Sequence, residues 1–215
     1  AVYRFVLDNG LWTRDPDIND ELTPRLDGEG VRLGWTYRNA RNDETEAYDT
    51  QGRLLAIAER GGLEQRLDYD GLGRLETVTD AGGRRLVFAY DGSHRIISVT
   101  DPAGNVYQYD YDGSSRLTTV TYPDQTPGDA TDNPVRRYHY EQASHPVALT
   151  GITDELGRRY ATFSYDTFGR GVETKHLLAD GAAVNRYTLS YPSAPTAVVT
   201  DPRGVARSHD FQVIN

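Results

Sequence analysis

The chain contains no Cys and no Met. Without Cys there is no disulfide framework and no thiolate metal site. A chain that opens Ala-Val-Tyr and holds no Met is expected to be a piece of a longer protein. Apolar content is low at 37%, and no run approaches the roughly 20 residues of a membrane-spanning helix. Positive charge is also scarce. Twenty-three Lys and Arg face 32 Asp and Glu, a net charge of −9, which argues against nucleic acid as a partner because a phosphate backbone needs clustered cations. What remains is rich in Tyr, with 15 against five Phe and two Trp, and in turn formers, with 21 Gly and 10 Pro. That balance favours strands joined by many turns.

A fixed period organises the chain. Tyr48, Tyr69, Tyr90 and Tyr111 stand 21 residues apart, and each opens one phrase: YDTQGRL, YDGLGRL, YDGSHRI, YDGSSRL, with YDTFGRG later from Tyr165. The phrase supplies the pairs Tyr48-Asp49, Tyr69-Asp70, Tyr90-Asp91, Tyr111-Asp112 and Tyr165-Asp166. It also supplies Gly52, Gly73 and Gly169, and Arg53, Arg74, Arg95, Arg116 and Arg170. His94 stands at a Gly position and His145 at an Arg position. A second phrase alternates with the first: VTDAGG, VTDPAG, ITDELG and VTDPRG, carrying Asp80, Asp101, Asp154 and Asp201. Self-similarity at constant period signifies a repeat architecture.

Each unit holds two segments of six or seven residues between turn signals, a strand length and too short for a helix. Asp-x-x-Gly suits the turn, since Asp closes an Asx-turn and Gly takes the positive φ. The unit is therefore a β-hairpin and the chain an all-β, long antiparallel meander. Alternation before each Tyr, as in Leu33-Trp35-Tyr37, Leu86-Phe88-Tyr90, Tyr107-Tyr109-Tyr111, Ala161-Phe163-Tyr165 and Tyr187-Leu189-Tyr191, predicts one apolar face. Leu75 and Val78, three apart, point to opposite faces unless a bulge intervenes. A sheet of so many strands is expected to curl with its apolar face inward. A β-propeller is the alternative architecture, but its four-stranded blades would alternate unlike repeats at a doubled period, which the phrases do not do. The expected division is 1–26, an N-terminal hairpin with the turn signal DNG and an acidic loop, and 27–215, the repeat array.

No pattern of catalytic residues emerges. Repetition spreads equivalent Asp carboxylates along the strip, whereas catalysis needs one or two converging in a pocket, so the Asp residues are assigned to turns. The Arg is expected to answer an Asp of its own or a neighbouring repeat. Asp15, Asp17 and Asn19 imitate the start of a calcium loop, but Asp20 and Leu26 occupy the positions that need Gly and Glu. The loop is read as solvated, as is the insertion YPDQTPGDATDNP from Tyr122. His94, His139, His145, His176 and His209 show no metal-ligand spacing, and neither a metal nor a cofactor is expected.

The two phrases resemble the YD repeats of the RHS family: Tyr-Asp, two variable residues, Gly-Arg-Leu, then Val-Thr-Asp-x-x-Gly and a return to Tyr. The resemblance covers residues 27–211. Such repeats occur in bacterial RHS and wall-associated polymorphic toxins, in the B and C components of insecticidal toxin complexes, and in teneurins. The resemblance implies a β-strip spiralling into a hollow shell, around a toxin domain in the bacterial cases, in a secreted or cell-surface protein. The family's Asp-Pro-x-Gly-Leu core segment does not occur, since DPAGN and DPRGV belong to the repeat itself. The expected function is a non-catalytic structural segment that scaffolds or encloses a toxin domain, partnered by neighbouring repeats of the parent protein. The alternative is a carbohydrate-binding adhesion module, with its tyrosines stacked on sugar rings. Edge-to-edge self-association through residues 205–213 is a further expectation.

Overall fold

The structure is a computed structural model that describes residues 5–8, 11–14, 19–124, 126 and 131–211. The turn residues of DNG, most of the first acidic loop and the centre of the insertion after Tyr122 lie outside the described residues. The described residues are strands and turns, and no helix is long and apolar enough to cross a membrane. The chain forms two units, 1–105 and 106–215.

In the first unit, β1 (Phe5–Asp8) and β2 (Leu11–Arg14) form a separate two-stranded antiparallel hairpin. An eight-strand meander follows: β3 (Glu21–Leu26), β4 (Arg32–Asn39), β5 (Glu44–Tyr48), β6 (Leu54–Ala58), β7 (Glu64–Tyr69), β8 (Leu75–Thr79), β9 (Arg85–Tyr90) and β10 (Ile96–Thr100). Each strand pairs antiparallel with the next. Pro24 in β3 has no N–H for the ladder, which suits a strand at a sheet edge.

The second unit is a meander of nine: β11 (Val106–Tyr111), β12 (Leu117–Thr121), β13 (Val135–His139), β14 (Gly151–Thr153), β15 (Arg159–Tyr165), β16 (Gly171–Leu177), β17 (Ala183–Ser193), β18 (Thr196–Thr200) and β19 (Ala206–Asp210). Again each pairs antiparallel with its successor. The all-β meander read from the period is the observed fold.

Both phrases build the same loop. The Asp49 N–H donates to the Arg53 carbonyl, and the Gly52 N–H donates to the Asp49 carbonyl. The three-residue connection ends in a left-handed residue, a common hairpin geometry. The same pair of bonds recurs at Asp70, Asp80, Asp91, Asp101, Asp112, Asp154, Asp166 and Asp201.

Every Tyr-Asp hairpin then carries a β-bulge. Tyr69 lies opposite Leu75 while Asp68 lies opposite Thr77, so Glu76 is the extra residue. Leu55, Ile97, Thr118 and Val172 hold the same place after Tyr48, Tyr90, Tyr111 and Tyr165. The extra residue shifts the alternation by one, which puts Leu75 and Val78 on one face, opposite Tyr69 and Leu67.

The packing is thin. Among the described residues the buried apolar side chains are Val120, Ala161 and Ala197, and no large side chain is fully buried. The repeat tyrosines are half-buried. Three residues expected inward are exposed instead: Leu33 at 50%, Leu86 at 37% and Tyr187 at 41%. Leu33 is itself the extra residue of a bulge against β3. Leu86 and Tyr187 each stand four residues before the Tyr that closes their apolar row, Tyr90 and Tyr191, and the cover over that row thins away from the Tyr.

Candidate functional site

The repeated polar residues converge on one arrangement per hairpin. The carboxylate of Asp70 is shared three ways. Its Oδ1 accepts from the backbone N–H of Leu72 and of Arg74, at 2.9 Å each, and its Oδ2 accepts from Arg74 Nε at 2.7 Å. Asp49 with Arg53, Asp91 with Arg95, Asp112 with Arg116 and Asp166 with Arg170 repeat this. Asp80 with Arg84 does so in a Thr-Asp turn. The arginine thus answers the Asp of its own turn. The backbone N–H of Arg74 is the chief reason the Asp70 carboxyl is held below the usual range, with partial burial opposing it and the guanidinium adding to it.

The same guanidinium reaches onward. Arg53 lies over the ring of Tyr69 at 5.1 Å, Arg74 over Tyr90 at 4.6 Å, Arg116 over Tyr140 at 4.9 Å and Arg170 over Tyr191 at 4.2 Å. Each tyrosine hydroxyl donates back to the strand between. Tyr69 bonds the Leu54 carbonyl at 2.8 Å, Tyr90 that of Leu75 at 2.7 Å, Tyr140 that of Leu117 at 3.0 Å and Tyr191 that of Gly171 at 2.9 Å. Leu54, Leu75, Leu117 and Gly171 are the residues paired with the preceding Tyr. One repeat's Tyr therefore rests on the previous repeat's hairpin, and the previous Arg covers it. Gly73, at φ +77, completes the fit, since a Cβ there would come within 3.2 Å of Arg53 Nη1.

Tyr48 departs from this scheme. Its hydroxyl donates to Glu46, and burial followed by that carboxylate pushes its pKa up to about 12. Tyr165 keeps the scheme with a substitute: its hydroxyl bonds the Leu149 carbonyl at 2.9 Å, and His145 stands where the Arg would be. The His145 ring bonds the Asp166 carbonyl at 3.1 Å and lies 3.3 Å from the place of a Cβ on Gly169.

Tyr140 and Tyr191 join the ladder without an Asp after them. A search for Tyr-Asp passes over both: Tyr140 follows directly on β13, and Tyr191 lies within β17. The arginine's double use was also not written in the phrase, because the second partner lies 16 or more residues away. Among the described residues, no three His, Asp or Glu side chains are grouped so that they could hold a metal ion.

Comparison with known proteins agrees with this geometry. Residues 48–85 and 90–127 match the family model described as RHS Repeat. Those two segments hold the Tyr-Asp phrases from Tyr48, Tyr69, Tyr90 and Tyr111, and they match RHS repeats. A comparison with curated proteins finds no match. Among solved structures, the chain is similar to a crystal structure of TcdB2-TccC3 without its hypervariable C-terminal region, at 16% identity and a TM-score of 0.55. That similarity covers 91% of this chain and 12% of that one, and it concerns the fold alone. The match to a Tc holotoxin pore of Photorhabdus luminescens, at 14% identity, covers 96% of this chain and 16% of that one, with a TM-score of only 0.28.

Proposed function

We propose that the chain is a non-catalytic structural segment of a β-shell, in a secreted or cell-surface bacterial toxin protein, that scaffolds or encloses a toxin domain. In this reading residues 27–215 are the repeat array and 1–26 its N-terminal hairpin and acidic loop. The observation that carries the reading is the use made of the repeated polar groups. Asp, Arg and Tyr are spent on their own turn and on the neighbouring repeat, which builds a wall and leaves their functional atoms engaged. The fold shared with TcdB2-TccC3 supports it. So does the half-covered tyrosine face, which a longer parent protein would cover from within. The tyrosine hydroxyls that a sugar would need are instead donated to backbone carbonyls, so the geometry favours the shell over the adhesion module.

Leu86 and Val87 offer a direct test. They are adjacent, point to opposite faces of β9 and are almost equally exposed, at 37% and 39%. The chain has no Cys of its own. Leu86→Cys and Val87→Cys should react with maleimide at similar rates in the 215-residue chain. In the intact parent protein Leu86→Cys should become protected while Val87→Cys stays reactive. Equal reactivity of the two in the intact parent would reject enclosure.

A further inference from the structure

The β1–β2 hairpin stands apart from the meander in a way that bears on its role. Its register, from Phe5 opposite Arg14 to Asp8 opposite Leu11, pairs the two strands only with each other among the described residues. A two-stranded hairpin of four residues a side is marginal in water, so its order must come from what it rests on. That support is aromatic. Trp12 meets Trp35 edge to face, with ring centroids 5.1 Å apart and planes at 86°. Phe5 meets Tyr37 in the same manner, at 6.3 Å and 82°. Trp35 and Tyr37 are alternate residues of β4 and so share one face, the apolar face predicted from Leu33-Trp35-Tyr37. Val6 and Leu7 remain 50% and 55% exposed, so the hairpin is not clasped from above.

The sheet beneath has supports of its own, and beyond the two ring contacts the hairpin reaches it through the charge of Arg14 acting on Asp20. Asp20, buried just before β3, accepts from the Tyr37 hydroxyl at 2.7 Å and from the Ala40 N–H at 2.8 Å. Trp35 and Tyr37 are each held by backbone pairing to β3 on one side and β5 on the other. Arg32 also lies over the Trp35 ring at 4.6 Å. The docking surface is thus preformed, and only the hairpin is held by side chains alone.

We infer that β1–β2 is a releasable lid on the aromatic face of the first unit: it opens by parting the Trp12–Trp35 and Phe5–Tyr37 contacts, uncovering Trp35 and Tyr37 while the meander stays folded. Local opening of this kind is expected where few contacts cross between an element and its support. The inference stands apart from the shell reading and can fail or hold without it.

Trp12 and Trp35 are the only tryptophans of the chain, so their edge-to-face contact gives an exciton couplet in the far-ultraviolet circular dichroism that reports the closed lid alone. In a urea titration of the full chain the couplet should vanish at lower urea than the sheet signal. Native-state hydrogen exchange should find the β1 and β2 amides at least about tenfold faster than those of β4. Trp12→Ala should leave the sheet midpoint in place, abolish the couplet and make Trp35 more easily quenched by acrylamide. Absence of a couplet in the native chain, or loss of couplet and sheet in one coincident transition, would overturn the inference. So would a Trp12→Ala chain whose sheet no longer folds, since the hairpin would then be part of the sheet's foundation.

Discussion

At the scale of the residue, the tyrosine of each repeat joins three interactions that can be separated by substitution. Tyr90 donates its hydroxyl to Leu75, lies under Arg74 and turns its ring toward the half-covered apolar face. Tyr90→Phe removes the hydroxyl but keeps the ring under the guanidinium, and should cost about 0.5–1.5 kcal/mol, the net worth of one hydrogen bond. Tyr90→Ala removes all three. It should cost about 2–3 kcal/mol, toward the lower end for aromatic truncation because the ring is only partly covered. Urea denaturation of the two variants checks both values. A Phe variant as damaged as the Ala variant would place the energy in the hydroxyl and not in the ring. Gly34 illustrates a harder constraint. Its φ is +147 and a Cβ would stand 1.9 Å from the Tyr48 carbonyl oxygen, so the β4 backbone closes on the end of β5 in a way that only glycine permits.

At the scale of the element, the hairpin loop is the repeating device, and two of its copies are flawed. His94 and Ser115 occupy the left-handed position, both at φ 62, where the other Tyr-Asp turns place Gly. Left-handed backbone costs an L-residue roughly 1–2 kcal/mol, part of which glycine returns as lost chain entropy. His94→Gly and Ser115→Gly should therefore each stabilise by about 0.5–1 kcal/mol. In a chain of this size that amounts to a rise of roughly 1–4 °C in Tm. Differential scanning calorimetry of the single and double variants decides it, and an unchanged or lower Tm would mean that the side chains at 94 and 115 contribute something the turn geometry does not show. The two substitutions lie in separate turns, so their effects should add.

At the scale of the whole molecule, the repeated carboxylates and tyrosines shape the dependence of stability on pH. Asp49, Asp70, Asp80, Asp91, Asp101, Asp112, Asp166 and Asp201 all have folded pKa values below the ordinary carboxylate value. An unfolded Asp titrates near about 3.9, so below that pH the unfolded chain binds more protons than the folded one. The stability they contribute is complete above that value and is lost as pH falls through the depressed folded values. His139 is held low by burial and by the charge of Arg159, so a shallower loss begins as pH falls below about 6.5. On the alkaline side the order reverses. Burial raises Tyr48 to about 12 and raises Tyr69 and Tyr140 as well, so their contribution is lost as pH climbs past the unfolded value of about 10. Tm should therefore be highest between about pH 7 and 9 and fall on both sides, most steeply below about pH 4. A Tm that stays flat down to about pH 3 would show that the Asp–Arg turns do not hold in solution.

Much of this molecule could be read from the chain alone. The interval from Tyr48 to Tyr111 set the hairpin, Asp-x-x-Gly set its loop, and the alternation set the face for each Tyr and the residue two before it, because all three are local consequences of backbone sterics and a period of two. The Asp carboxylates were legible as turn formers for the same reason. What the chain could not settle lies across strands. Whether Leu75 and Val78 share a face depended on a bulge at Glu76, and a bulge exists only in a pair of strands. Arg74 reads as one charge beside one Asp, yet it also covers Tyr90, which becomes its neighbour only when β9 folds back beside β8. Tyr140 and Tyr191 lack the Tyr-Asp pair, and entered the ladder through their hydroxyl bonds to the Leu117 and Gly171 carbonyls of another strand. The seat of β1–β2 on Trp35 and Tyr37 was likewise invisible, since nothing in FVLD or LWTR names the face that will receive it. Local geometry is set by the residues that experience it, whereas stacking, hydrogen bonds to another repeat's carbonyl and the covering of an apolar face each need two segments brought together, and only the tertiary structure does that.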